Sequence, residues 1–406
     1  MASVAIVGGG PAGSSVALHL LRQGVDPADL VVFDKAKFPR PKLCGGALTW
    51  RGTRALEELI GRPAGGGRTI SLEFRCALGR FPVRERGEQW LYDRAALDDQ
   101  LLRAVIGAGV EVRQETAVTS VEGLDGGWRV RWRGGTQRFD WVVGADGARG
   151  VVGRSVELHG GFVGRLVEAV YTPVDEAPDD SVLYFDFDPI GDGIPGYAWI
   201  FPYPKPGERG LWKLGIMDGR GVTTGRVLRQ WTDAFAERNG FRRLDAKIAG
   251  WPERYFDPRA RAHLPGLILT GEAWGVDPLL GEGIAPALEM GRYAAAQLKR
   301  ALDQGVRRIE AYEAGFRATE EGKNLVFQGR LAKLLYGKGS HRWLRVLFGH
   351  EYMKELAAQG TQAYGRLQQH TWKLAGSYLR QVLRGGIPPN RPIPSTMGPQ
   401  LETSAP

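Results

Sequence analysis

Gly8, Gly10 and Gly13 form a G-x-G-x-x-G directly after the apolar run Ser3–Val7. There the first glycine permits a tight turn, the second lets backbone approach a pyrophosphate, and the third lets helix pack close to strand. Ala12 lies in the same turn, at a helix N-terminus whose N–H groups and dipole attract phosphate. Asp34 ends a second apolar run, Leu30–Phe33, and is placed to accept from ribose hydroxyls. Arg94 heads a helical stretch, where a guanidinium would face a pyrophosphate. Asp146-Gly147 follows a further strand, and LILTGEAWGVDPLLGEG, ending at Gly283, reads as strand, acid, glycine turn and helix start. Remote glycine loops aimed at one nucleotide suit the long, bent FAD molecule better than NAD.

A second group of residues belongs to a different chemistry. Alternation puts Tyr197, Trp199 and Phe201 on one face of a strand, either as plain hydrophobic core or as an aromatic wall suited to a polyene. Cys44 lies in Lys-Leu-Cys-Gly-Gly, where a small thiol can simply fill space. Cys44, Tyr197 or an ordered water would each serve as a proton donor, and the sequence leaves that choice open. The six histidines show no metal-ligand spacing, so no metal is expected, and no G-x-S-x-G elbow points to a hydrolase.

The elements that must position these groups alternate in type. Strand, helix and strand cover Ser3–Val7, Ser15–Gln23 and Leu30–Phe33, and a helix is expected over Arg94–Ala108. Val110–Val121, Trp128–Trp132 and Phe139–Val143 read as strands, as does much of Leu166–Lys213, with Trp251–Tyr255 joining them. Leu267–Thr270 reads as a buried strand and Gly283–Leu302 as a helix. Beyond residue 305 helical spacing dominates, and residues 321–385 hold eleven Lys and Arg against three Asp and Glu. Six prolines in the last twenty residues predict a disordered tail.

Composition bounds the rest. A 406-residue chain that is 43% hydrophobic and 24% charged is globular, with two or three domains. Its 58 glycines are about twice the usual share of ~7% and mark turns and close backbone approaches. Two cysteines suit a reducing compartment, and no basic leader or 18-residue apolar span is present, so a cytoplasmic location is expected. The net charge of +9 suggests an anionic ligand or surface. The basic C-terminal stretch, with Trp343 and Phe348 among arginines, reads as a solvated helical cap or as a peripheral contact with the inner face of the membrane. No nucleic-acid motif accompanies the charge, so nucleic acid is not an expected partner.

On the fingerprint, Arg94, Asp146-Gly147, Gly271-Glu272 and Gly281–Ile284, residues 1–300 resemble the FAD-dependent oxidoreductases of the para-hydroxybenzoate hydroxylase superfamily. Pro41–Leu48 and Gly196–Pro202, a Y-x-W-x-F-P, make the chain look most like its geranylgeranyl reductase group. The resemblance implies an α/β fold in which a Rossmann-type FAD-binding domain is interleaved with a mixed β-sheet substrate domain, followed by a helical C-terminal region. Its FAD-binding parts would be residues 1–75, 94–165 and 257–304, its substrate parts 76–93 and 166–256. A helical domain 305–385 and a tail 386–406 would follow; separately, a monomer is expected, although the sequence does not fix the oligomeric state.

Carried over by position, the resemblance implies that Ala12, Asp34, Arg94 and the backbone near Val118 meet the ADP half of FAD. Glu272 would meet the ribityl chain or pyrophosphate, and Gly283 and Ile284 the flavin pyrimidine edge. Cys44, Gly45 and Ala47 would lie beside the ring, and Tyr197, Trp199 and Phe201 against the substrate. Two departures stand out: glutamate replaces the usual aspartate at 272, and Gly150 stands where a serine is usual. The implied activity is reduction of carbon–carbon double bonds of a polyprenyl lipid or prenylated quinone, by hydride from flavin N5 plus a proton. A monooxygenase or halogenase working through a flavin hydroperoxide is the alternative, and a redox-neutral cyclase a third. With a single fingerprint, the electron source would be NAD(P)H or a reduced protein that visits transiently.

Overall fold

The computed structural model describes residues 2–158, 161–349 and 390–395. Its nucleotide layer is a six-stranded sheet in the order His263–Leu264, Leu267–Leu269, Trp141–Gly144, Val4–Val7, Leu30–Phe33, Glu111–Arg113. All pairings are parallel except the edge hairpin of the first two strands. Such strands are covered on both faces, which is why VAIV and LVVF are unbroken apolar runs. Helices Pro11–Arg22, Arg94–Gly107 and Ile284–Gln304 pack together beside it.

The helix after the fingerprint starts at Pro11, four residues before the predicted Ser15. Proline at the first helical position loses no hydrogen bond there and presets φ for the helix. Gly8 adopts φ +110°, and a Cβ at Gly13 would lie 1.8 Å from the Gly8 carbonyl oxygen, so turn and helix close on each other only with glycine at both positions.

The second layer is a nine-stranded sheet. Its path runs Phe241–Arg243, Val163–Pro173, Trp212–Asp218, Gly196–Pro202, Val182–Asp186, Gly67–Cys76, Gly79–Leu91, Ala47–Leu48. Ala249–Arg254 adds to Val163–Pro173 at its side. One face buries Ala198 and Ile200 beneath helix Gly225–Arg238, through Trp231 and Phe235. The other face carries Tyr197, Trp199 and Phe201, and is roofed by helices Glu320–Leu335 and Ser340–Gly349 through Ala332, Leu344 and Phe348. A three-stranded sheet, Val118–Leu124, Gly127–Trp132 and Gly135–Phe139, completes the fold.

Several expectations need correction. Gly67–Cys76 pairs along its length with Gly79–Leu91, and Ala47–Leu48 pairs with the end of that strand, so the nine-stranded sheet includes chain well before residue 76. The single strand expected over Val110–Val121 is two, in different sheets. Between them Glu115 takes φ +54° and Thr116 N–H donates to Asp34 O at 2.8 Å, which turns the chain out of the first sheet. Phe139–Val143 likewise splits at Asp140, whose carboxylate accepts from Ser3 N–H at 2.7 Å. Within the tail expected to be disordered, residues 390–395 are seated: Ile393 is buried, and Asn390 Nδ2 donates to Lys338 O at 2.9 Å. The remainder of that tail, and the helical expectation for 350–385, lie outside the described residues.

Candidate functional site

One cavity of about 1020 Å³ runs between the two sheets, and both the glycine loops and the aromatic strand line it. At its nucleotide end, Asp34 uses Oδ2 to accept from Gly9 N–H (2.8 Å) and Oδ1 to accept from Ala36 N–H (2.9 Å). The aspartate expected to meet a ribose therefore also pins the glycine turn. Arg94 is buried and makes two 2.9 Å hydrogen bonds to Asp98, four residues on, while Arg40 approaches the same carboxylate at 3.2 Å. Burial opposes the Arg94 charge, but Asp98 and then Cys44 outweigh it, so the guanidinium stays protonated. Two guanidiniums on one carboxylate leave a net positive charge at the cavity edge, suited to a pyrophosphate. Val118, from the three-stranded sheet, lines the same region.

The second loop explains one departure from the family pattern. Asp146 Oδ2 accepts from Val151 N–H (2.5 Å) and Val152 N–H (2.9 Å), and Oδ1 is buried without a partner among the described residues. A Cβ at residue 150 would lie 2.2 Å from that Oδ1, so Gly150 leaves room for the carboxylate. Burial pushes the Asp146 carboxyl up, against the pull of those N–H groups. Gly147, Gly271, Glu272, Gly283 and Ile284 sit close by, with Glu272 3.8 Å from Lys42 Nζ. Burial pushes the Lys42 ammonium down, partly offset by Glu272. Helix Ile284–Gln304 has no side-chain cap, so its first N–H groups are available at the cavity wall.

Cys44 is gripped by its backbone. Its N–H donates to Glu168 Oε1 at 3.3 Å, its carbonyl accepts from Lys213 Nζ at 2.6 Å, and Lys213 and Glu168 lie 3.3 Å apart, both buried. Its sulfur accepts from Gly46 N–H at 3.4 Å, and Ala47 pairs with Leu91 at the sheet edge. Gly45 lies against Phe201. Tyr197, Trp199 and Phe201 do share a face, with ring centroids 5.9 and 6.4 Å apart along the strand. The Trp199 indole lies over Gly215, where a Cβ would be 2.3 Å from Cζ2. The Tyr197 hydroxyl donates to Leu280 O, and burial pushes it far above its ordinary range, which makes it a poor acid.

Sequence reasoning missed the rest of the wall. Leu72 and Phe74 come from one strand and Leu183 and Phe185 from its parallel neighbour, and Phe187 follows; all line the cavity. Glu253 and Asp277 were missed as well. The signal for Glu253 was available, since alternation places it with Trp251 and Tyr255 on one strand face.

The donor set fits FAD: an open helix N-terminus, a buried unpartnered carboxylate oxygen at Asp146, and a paired-arginine edge share one cavity. An FAD-NAD(P)-binding family model matches residues 5–57. The chain is 28% identical over 360 residues to digeranylgeranylglycerophospholipid reductase 2 of Methanothermobacter thermautotrophicus, covering 83% of this chain and 88% of that one. It is 29% identical over 323 residues to the menaquinone reductase of Mycolicibacterium smegmatis, covering 72% and 75%. Among solved structures, a geranylgeranyl bacteriochlorophyll reductase-like protein of Thermoplasma acidophilum superposes with TM-score 0.68 at 20% identity, covering 94% and 98%. The halogenase PltM superposes with the same TM-score at 16% identity, covering 94% and 92%. Structural likeness at these identities speaks to the fold alone; the two sequence relatives given above are named as reductases.

Proposed function

We propose that this FAD-dependent oxidoreductase, related to the geranylgeranyl reductases, saturates carbon–carbon double bonds of a polyprenyl lipid or prenylated quinone. The observation that carries the reading is the continuity of one cavity from the glycine loops to the aromatic wall. Bound and reduced, FAD supplies hydride chemistry at N5. Gly8, Gly10, Ala12, Gly13, Asp34, Arg94, Val118, Asp146, Gly147, Gly271 and Glu272 hold its ADP and ribityl parts. Gly283 and Ile284 offer N–H groups to the pyrimidine edge, and Cys44, Gly45 and Ala47 lie beside the ring. Tyr197, Trp199 and Phe201, with Phe74 and Phe185, exclude water and present aromatic faces that steady positive charge developing on an alkene carbon. An isolated trisubstituted alkene has no carbonyl to polarise it, so such a wall answers a chemical need.

Electrons come from NAD(P)H or a reduced protein that visits transiently, since only one of the chain's two G-x-G-x-x-G runs, Gly8–Gly13, joins a strand to a helix, while Gly191–Gly196 leads into a strand. The lipid is met by peripheral contact with the membrane from the cytoplasmic side. No helix among the described residues is long and apolar enough to cross a membrane. The test is anaerobic incubation of the dithionite-reduced protein with geranylgeranyl lipids and menaquinones, read by mass spectrometry. Products heavier by two hydrogens per bond are expected. Unchanged lipids, or turnover that requires oxygen, would refute the reading and favour a monooxygenase or halogenase.

A further inference from the structure

Hydride addition to an alkene leaves one carbon in need of a proton, and two acidic groups at the cavity are compromised as its source. Tyr197 spends its hydroxyl proton on Leu280 O, and Asp277 is tied to the N–H groups of Leu279 (2.7 Å) and Leu280 (3.1 Å). Glu253 is different. It lies on the edge strand Ala249–Arg254 opposite Gly164, is 9% exposed, and lines the cavity. Its Oε2 has no hydrogen-bond partner among the described residues. The turn at Gly281–Gly283 is shaped around it: a Cβ at Gly281 would lie 2.7 Å from Oε2, and one at Gly283 3.6 Å from Oε1. The two glycines thus keep this carboxyl open beside the helix start assigned to the flavin edge, and within electrostatic reach of Cys44 and Tyr197.

We propose that Glu253 is the proton donor of the site, giving its carboxyl proton to the alkene carbon that does not receive hydride. The assignment rests on the prenyl-reductase reading above. One new C–H bond takes the hydride pair from the reduced cofactor, and the other takes the proton from the Glu253 O–H. The cofactor loses two electrons, the alkene gains them, and Glu253 is left as a carboxylate that water reprotonates before the next turnover. A buried carboxylate whose Oε2 finds no donor among the described residues is costly, so the neutral acid is the favoured resting form. Burial, then Glu272 and Cys44, pushes this carboxyl well above its ordinary range; Lys42 pulls it back, and Asp277, Tyr197 and Tyr255 also face it.

The test uses the oxidised and the dithionite-reduced holoenzyme. Infrared difference spectra of wild type against E253Q at neutral pH should show the carbonyl band of a protonated carboxylic acid, sensitive to D2O, only in wild type. In anaerobic single turnover with geranylgeranyl diphosphate, E253Q with wild-type flavin content should be slower by about 10²–10⁴-fold. Flavin-loaded E253Q within about tenfold of wild type, or absence of the acid band, overturns the assignment while leaving the reductase reading intact. A wild type that shows the band yet reduces no prenyl substrate overturns the reductase reading and the donor role with it. If E253Q does not load flavin, the wild-type pH profile decides: its single-turnover rate must fall in alkali as the acid ionises, and a flat profile overturns the proposal.

Discussion

Lys213→Met offers the sharpest test of how Cys44 is held. Lys213 and Glu168 are 5% and 6% exposed, 3.3 Å apart, and grip the carbonyl and N–H of Cys44 from two neighbouring strands. Removing the lysine leaves the Glu168 carboxylate buried with the Cys44 N–H as its remaining donor and Oε2 without a partner among the described residues. Breaking one member of a buried pair costs about 3–5 kcal/mol, whereas replacing both by apolar groups is often neutral. With a urea slope of about 3 kcal/mol/M, that loss lowers the unfolding midpoint by roughly 1–1.7 M. The assay is urea unfolding followed by tryptophan fluorescence, with FAD held in constant excess because bound ligand adds to apparent stability. Lys213→Met/Glu168→Leu should recover at least half of the lost midpoint yet still release Cys44, lowering turnover. A single variant whose midpoint stays within about 0.3 M of wild type, roughly 1 kcal/mol on the same slope, would refute the buried-pair argument.

Trp199→Phe keeps an aromatic ring but withdraws the indole from Gly215, so turnover of a prenyl substrate should fall while flavin per chain stays constant; flavin loss in parallel would mark Trp199 as core only. Cys44→Ser should change the single-turnover rate by no more than about tenfold, since the thiol shapes the pocket and Glu253 carries the proton; a fall of about 10²-fold or more would return the acid role to Cys44. Glu313 is held down to about 2 because, although burial works against its charge, His263 and the Ala262 N–H bond it. A lowered folded-state value means its stabilisation is complete above the ordinary 4.5 and fades as pH falls toward about 2. Thermal melts of Glu313→Gln should therefore lie below wild type at neutral pH and converge with it in acid; parallel curves would refute the linkage.

What the sequence made legible is what short-range backbone chemistry dictates. The G-x-G-x-x-G, the strand ending at Asp34 and the alternation of Tyr197, Trp199 and Phe201 each follow from a handful of neighbouring residues. The cavity wall beyond that strand does not. Phe74 and Phe185 meet because Gly67–Cys76 and Val182–Asp186 pair in parallel across more than a hundred residues, a partnership no local pattern announces. Arg94 was half read: its position was legible, but the Asp98 that orients it sits at plain i,i+4 spacing and was overlooked. Glu253 lay in a segment read as a strand, yet nothing local shows that this face borders the cavity; Pro252 is tolerated there because the strand pairs on one side only.

The strand order of the six-stranded sheet has a consequence for how the chain is made. Val4–Val7 sits at its centre, yet its neighbour Trp141–Gly144 and the next strand, Leu267–Leu269, leave the ribosome far later. At about 5–20 residues per second, the stretch from Val7 to Trp141 takes roughly 7–27 seconds to emerge. Through that interval an all-apolar strand waits with one edge unpaired, a template for the wrong partner. Expression yield should therefore respond to translation speed and chaperone supply more than a chain of this size and composition would suggest, and truncations that end before Leu269 should aggregate instead of yielding a separable nucleotide domain.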